Sequence, residues 1–193
     1  VDAIALEQQG MTDELAQLSK SVDHIKDIVA TQQHYAGASA LKEPVHISAL
    51  MDDALRMNAG ALSRHNVTVV KHYAQVPEIL ADKHRLLLIM VNLISNAKYA
   101  MSNLVDRPRQ MTLTVQPRDD ATLQISVKDD GEGIPAENMT RIFTHGFTTR
   151  KEGHGFGLHS CALAAVEMDG HLSAHSDGPG LGALFTLTIP LIP

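Results

Sequence analysis

A chain of 193 residues, 44% apolar and 20% charged, has room for one ordinary domain plus an appendage and is neither disordered nor collagen-like. Sixteen Lys and Arg against 22 Asp and Glu leave a net charge of −6, and aromatics are 4% with no Trp, so neither a basic footprint nor a stacking platform for nucleic acid is present. The single Cys excludes an intrachain disulfide framework and a multi-cysteine zinc site, and the longest apolar run, Leu86 to Val91, falls far short of the roughly 20 residues a bilayer span needs.

The chain begins with Val and its start is polar and acidic, unlike a signal peptide. The reading is a piece of a longer protein, cytoplasmic itself, with any membrane attachment in parent segments. Residues 1–43 carry a net charge of −4 and residues 44–193 a net charge of −2. In the first segment Ile4, Met11, Leu15, Leu18, Val22, Ile25 and Val29 fall at heptad a and d positions, with Gln8 as the one break. Such a narrow seam predicts a long helix that buries one edge against another helix, most simply a second copy. Gly37 and Pro44 close it, which divides the chain into 1–43 and 44–193.

Beyond Pro44, Ser48 is positioned to cap a helix over 49–64, with Leu50, Ala54, Leu55, Met57 and Leu62 on or near its buried side. Residues 67–73 alternate as a strand. Asp82 caps a long apolar helix to about Asn103. Residues 111–117 and 122–128 alternate as two strands around a polar turn. A Gly-rich stretch spans Asp129 to Pro135, a short helix covers 137–142, and a second Gly-rich stretch runs from Gly146 to Gly157. A helix over 158–168 ends at Gly170, and strands at 171–176 and 183–189 close the chain. Interspersed helices with hairpin strand pairs predict an α+β fold, a two-layer sandwich of a mixed sheet packed on helices.

Four clusters carry chemistry. Asn92 and Asn96 lie four apart, so both amides share one face of the long helix. Buried amides need partners, and their hard oxygens suit Mg²⁺. Asp129-Asp130-Gly131-Glu132-Gly133-Ile134-Pro135 places a carboxylate at a strand end beside a turn that permits close backbone approach. Arg141 to Arg150 holds Phe143 and Phe147, two of the four Phe residues, which alone would read as a small satellite core. Gly153-His154-Gly155-Phe156-Gly157-Leu158 opens a helix, where free N–H groups and the helix dipole favour an anion. Its spacing is neither the dinucleotide fingerprint nor a P-loop. Five His residues between 145 and 175 lack zinc-site spacing, and Cys161 reads as a small buried apolar residue.

In this order the four clusters resemble the N, G1, F and G2 boxes of the ATP-binding domain of the sensor histidine kinases, members of the GHKL (Bergerat) ATPase superfamily. Gly170 to Ser176 and Gly182 to Pro190 are similar to that family's closing hairpin. The resemblance covers about residues 44–193 and makes the heptad helix the second helix of a dimerisation hairpin. It implies binding of ATP and Mg²⁺ and transfer of the γ-phosphoryl to a histidine, for relay to a response-regulator receiver domain. Asn96 would supply an oxygen to Mg²⁺, with Asn92 beside the phosphates. Asp129 would accept from the adenine amine, Gly131 and Gly133 would pass under the base, and Ile134 would pack on it. Residues 144–157 would form a mobile lid. In the lid and around it, Phe143, Thr148, Thr149, Arg150, Lys151, Gly153, His154, Gly155, Phe156, Gly157 and Leu158 are the matched positions, with Arg150 or Lys151 reaching the phosphates.

The chain departs from the family's pattern in places. Lys98 and Tyr99 follow Asn96 by two and three, with Ala100 where an aromatic is common; Leu184 stands where a small hydroxyl residue near the base is common; Asp130 replaces a common Asn. No acceptor-type His segment is present, and the resemblance places the acceptor upstream of Val1, with His24 the candidate inside the chain. Two other readings keep the fold: a non-catalytic nucleotide-binding and dimerising scaffold, and a gyrase-type or mismatch-repair ATPase.

Overall fold

A computed structural model describes residues 42–104, 107–150, 153 and 155–191. The heptad segment with His24 lies outside the described residues, as do Lys151 and His154. The elements are β1 (Glu43–Val45), α1 (Ile47–Arg64), β2 (Val67–Tyr73), β3 (Ile79–Ala81), α2 (Lys83–Ala100), β4 (Arg109–Pro117), β5 (Thr122–Asp129), α3 (Ala136–Met139), α4 (Gly157–Glu167), β6 (His171–His175) and β7 (Ala183–Pro190). Five strands form one sheet in the order β2-β4-β5-β7-β6. β2 runs parallel to β4, and the other pairs are antiparallel, so the sheet is mixed. β1 and β3 form a separate antiparallel ribbon.

Strand alternation decides which face is covered. Met111, Leu113 and Val115 of β4, Leu123, Ile125 and Val127 of β5, and Phe185, Leu187 and Ile189 of β7 are buried in register with one another. They meet Leu50, Met51 and Ala54 of α1, Leu86, Met90, Leu93 and Ile94 of α2, and Cys161 and Ala165 of α4 in one core. The intervening strand positions are polar, among them Thr112, Thr114, Gln124, Lys128, Thr186 and Thr188. The result is the two-layer sandwich of helices on a mixed sheet. Among the described residues no helix is long and apolar enough to cross a membrane.

Asp82 caps α2 as its position predicts, accepting from the Arg85 N–H at 3.0 Å. Elsewhere the ends differ. α1 starts at Ile47 with His46 at the cap, not at Ser48, because Ile47 is fully buried and must face the sheet. Met57, expected near the buried side, is 67% exposed, while Met51 and Asn58 are buried. α2 ends at Ala100 and continues only as turns, and the 137–142 helix is a single turn, α3. Pro44 sits in β1 rather than in a linker; β1 and β3 are three residues each, too short to show alternation. Phe143 and Phe147 pack on the main core beside buried Ile142, so they are not a satellite cluster.

Candidate functional site

On β5 the residues facing the helices are Leu123, Ile125, Val127 and then Asp129. A carboxylate therefore occupies the last position of an apolar row and is 1% exposed. Its neighbours across the sheet are Met111 and Ala183. Burial is the main cause that raises its pKa to about 6, with the charges of Asp130 and Glu132 adding to it. The N–H groups of Gly131, at 2.8 Å, and Ala183 donate to the carboxylate and act the other way. Asp129 thus keeps a charge at neutral pH with few partners for it.

Gly131 turns the chain directly under this group. A Cβ there would stand 2.5 Å from Asp129 Oδ1 and 2.7 Å from the Ala100 Cβ, so only glycine fits. The Glu132 N–H donates to Ala100 O at 2.9 Å, which ties the turn to the end of α2. Ile134 is half-buried against the core. Gly133 has φ +69 and abuts Gly178 O, so it faces the β6–β7 connection.

The α2 amides resolve their own burial partly on each other: Asn96 Nδ2 donates to Asn92 Oδ1 at 2.9 Å. Arg150 donates through Nη2 to Asn96 Oδ1, and its guanidinium lies 4.1 Å from the Tyr99 ring centroid. Tyr99 shares the face of Asn92 and Asn96 because it is three residues further along, one step of the helical row. Lys98 lies off that row; its pKa is lowered by burial and then by the charges of Arg150 and Arg64. Burial also lowers the pKa of Arg150, opposed by Tyr99 and Glu132.

The N-terminus of α4 meets the same amides. A Cβ on Gly157 would stand 2.6 Å from Asn92 Nδ2, so the helix end can approach α2 this closely only as glycine. The first N–H groups of a helix have no intrahelical acceptor and carry the positive end of its dipole. The preceding loop folds on itself. The Gly146 N–H donates to Gly155 O at 3.1 Å, the Gly153 N–H to Arg150 O at 3.2 Å, and the Arg150 N–H to Thr148 Oγ1 at 3.1 Å. Thr149 is exposed, the Phe156 ring lies tilted against His145 with centroids 4.7 Å apart, and Leu158 packs on the core.

Asn92, Asn96, Tyr99, Arg150 and Gly157 are therefore one group, and Asp129, Gly131 and Ile134 line the neighbouring turn. Phe143 and Leu158 support the wall from the core side. Leu184 does not neighbour Asp129: it pairs with Lys128 on the opposite face, and Ala183 holds the place beside the carboxylate, as strand alternation requires. Two side chains that the motifs do not mark as site residues touch the turn. Arg107 donates to the carbonyls of Asp130, Gly131 and Gly180, and Ser176 bonds the Ile134 N–H and Gly182 O. Ser176 stands at the head of a Gly-Pro-Gly loop, which was a usable signal; Arg107 lies in a polar connection with none.

Residues 81–193 match the family model described as histidine kinase-, DNA gyrase B- and HSP90-like ATPase. Sensor histidine kinase TmoS of Ectopseudomonas mendocina is 30% identical over 180 residues, which is 92% of this chain and 18% of that protein. Sensor histidine kinase ZraS of Escherichia coli (strain K12) is 30% identical over 185 residues, 94% of this chain and 38% of that protein. The chain thus spans less than half the length of these relatives. Full-length ShkA in complex with AMPPNP has the same fold with a TM-score of 0.79 at 24% identity, over 95% of this chain and 39% of that one. The catalytic domain of histidine kinase ThkA superposes with a TM-score of 0.68 at 22% identity, over 79% of this chain and 99% of that one.

Proposed function

The chain belongs to the histidine kinase-, DNA gyrase B- and HSP90-like ATPase family, and we propose that it is the ATP-binding catalytic part of a sensor histidine kinase. In this reading it transfers the γ-phosphoryl of ATP to a histidine outside the described residues, for relay to a response-regulator receiver domain. In the same reading the parent protein works as a homodimer through the heptad segment that precedes β1, with this part in the cytoplasm. The observation that supports it best is the pairing of a buried Asp129 carboxyl at the end of the sheet with an amide pair beside a helix N-terminus.

The site's chemistry fits a purine nucleotide and one hard cation. Asp129 is an acceptor for an exocyclic amine, and Gly131 carries no Cβ to press on its Oδ1. Ile134 offers an apolar surface to the base. The α4 N-terminus and the Arg150 guanidinium are the positive groups for a polyphosphate. Asn96 Oδ1, with Asn92 behind it, is a hard oxygen of the kind Mg²⁺ takes beside phosphates and waters. The cation, when bound, neutralises phosphate charge as the phosphoryl group leaves. Phosphoryl transfer asks mainly for positioning and electrostatic stabilisation, and these side chains supply both. Arg150 now donates to Asn96 Oδ1, so in this reading it moves onto the phosphates when nucleotide enters.

The test is transfer. The chain is incubated with γ-labelled ATP, Mg²⁺ and a separately supplied acceptor helical hairpin. The expected product is acid-labile, base-stable label on the hairpin, absent with Asn96→Ala. ATP binding without label on the acceptor in this assay would contradict the kinase reading and favour the non-catalytic scaffold.

A further inference from the structure

The turn after β5 carries the group that would read the base, yet its carbonyls leave the sheet's ladder. Two of them, Asp130 O and Gly131 O, accept from Nη2 of Arg107 at 2.5 and 2.7 Å. Nη1 of the same guanidinium donates to Gly180 O at 2.8 Å, on the β6–β7 connection. A planar fork with several fixed donors can do this; a lysine ammonium cannot hold the same three carbonyls in one plane. At the other end of the turn Ser176 Oγ accepts from the Ile134 N–H at 3.0 Å and donates to Gly182 O at 2.6 Å. Backbone bonds from Gly180 N to Glu132 O, 2.6 Å, and from Gly182 N to Gly131 O, 3.2 Å, lie between the two.

One of the peptides that Arg107 holds, through Asp130 O, is the one whose Gly131 N–H donates to Asp129 Oδ1. Its orientation therefore sets which way the carboxylate's second oxygen points. Ser176 holds the peptide that carries Ile134, the apolar wall. Neither side chain belongs to the amide pair, the lid or the α4 N-terminus.

We propose that Arg107 is a positioning residue that sets base selectivity, fixing the Asp129 carboxylate as an acceptor for a 6-aminopurine against a 6-oxopurine, while Ser176 holds the apolar wall that either base meets. The proposal rests on the nucleotide reading above. A 6-oxo group would set acceptor against acceptor in a buried place, which a site built to accept a hydrogen bond rejects strongly. A carboxylate misplaced on the order of 1 Å loses that discrimination, about 100-fold in effect.

Binding of a non-hydrolysable ATP analogue and of the inosine nucleotide with the same phosphate chain, whose base carries a 6-oxo group and an N1–H in place of the 6-amino group and bare N1, is measured for wild type, Arg107→Ala, Arg107→Lys, Ser176→Ala and Ser176→Thr. Carboxyl NMR titration of Asp129 in the nucleotide-free proteins and thermal midpoints accompany it. Arg107→Ala and Arg107→Lys are expected to lose about 10- to 100-fold in ATP-analogue affinity with inosine nucleotide affinity unchanged, whereas Ser176→Ala weakens both alike. Ser176→Thr, which keeps the hydroxyl, stays near wild type. The Asp129 midpoint in both Arg107 variants moves above its wild-type value, because the Gly131 N–H no longer stays in place. Equal weakening of both nucleotides by the Arg107 variants, with an unmoved Asp129 titration, overturns the proposal and leaves Arg107 a structural residue. Wild type that binds neither nucleotide overturns the nucleotide reading itself, and this assignment with it.

Discussion

Replacing Asp129 by Asn separates the cost of the site from its use. The folded chain holds the Asp129 proton with a pKa of about 6 against 3.8 for the free group, about two units of raised affinity. At about 1.4 kcal/mol per unit, keeping this carboxylate ionised in the fold costs on the order of 3 kcal/mol above pH 7. The sign is that of a raised acid: the folded state binds the proton more tightly. Stability from this group is complete below the unfolded pKa, is lost as pH rises through about 6, and stays lost above it. Asn keeps an oxygen for the N–H groups of Gly131 and Ala183 and carries no charge. Asp129→Asn is therefore expected to be more stable than wild type by about 2–3 kcal/mol at pH 8, and by less than about 1 kcal/mol at pH 4. Urea unfolding of both proteins at the two pH values measures this. The same change removes a charge-assisted hydrogen bond to the base and should weaken ATP by about 10- to 100-fold. Wild-type ATP affinity should likewise fall as pH drops through about 6. A variant no more stable than wild type at pH 8, or offset by the same amount at both pH values, would refute the reasoning.

Three further changes probe neighbouring parts. Gly131→Ala drives a Cβ against Asp129 Oδ1 and the backbone of Ala100; it should abolish nucleotide binding by calorimetry and cost about 1–3 kcal/mol in urea unfolding. Arg150→Ala frees Asn96 Oδ1 and the Tyr99 face, so hydrogen exchange at the Gly146 and Gly153 amides should quicken in the nucleotide-free protein, whereas unchanged exchange would show that Arg150 does not hold the loop. Asp82→Ala removes the α2 cap and should cost about 1 kcal/mol by urea unfolding, without change in nucleotide affinity.

Much of this was legible in the residues, for physical reasons. The alternation of β4, β5 and β7 is clean because one face is covered and the other polar, and Asp129 falls on the buried phase by counting alone. Asp82 signals its helix because its side chain caps it. The four-residue spacing of Asn92 and Asn96 is enough to put them in contact. Other features have no local signature. β1 and β3 are too short for periodicity and exist through each other. α1 begins at Ile47 because that side chain is buried by tertiary packing, which overrides the better cap at Ser48. Met57 is apolar yet exposed, and no pattern in a mixed helix foretells it. Arg107 reaches three carbonyls that are distant in sequence, a role that only folded geometry reveals. The reading of Leu184 as the base-side neighbour missed by one residue, which on a strand means the opposite face.

If Asp129 and Asn96 serve the two ends of one ATP, calorimetric titration with a non-hydrolysable ATP analogue, with and without Mg²⁺, separates their roles. Wild type is expected to bind at one site per chain, Asp129→Asn about 10- to 100-fold more weakly in either condition, and Asn96→Ala with no response to Mg²⁺. No heat of binding in wild type, or the same Mg²⁺ response in Asn96→Ala as in wild type, would contradict those roles.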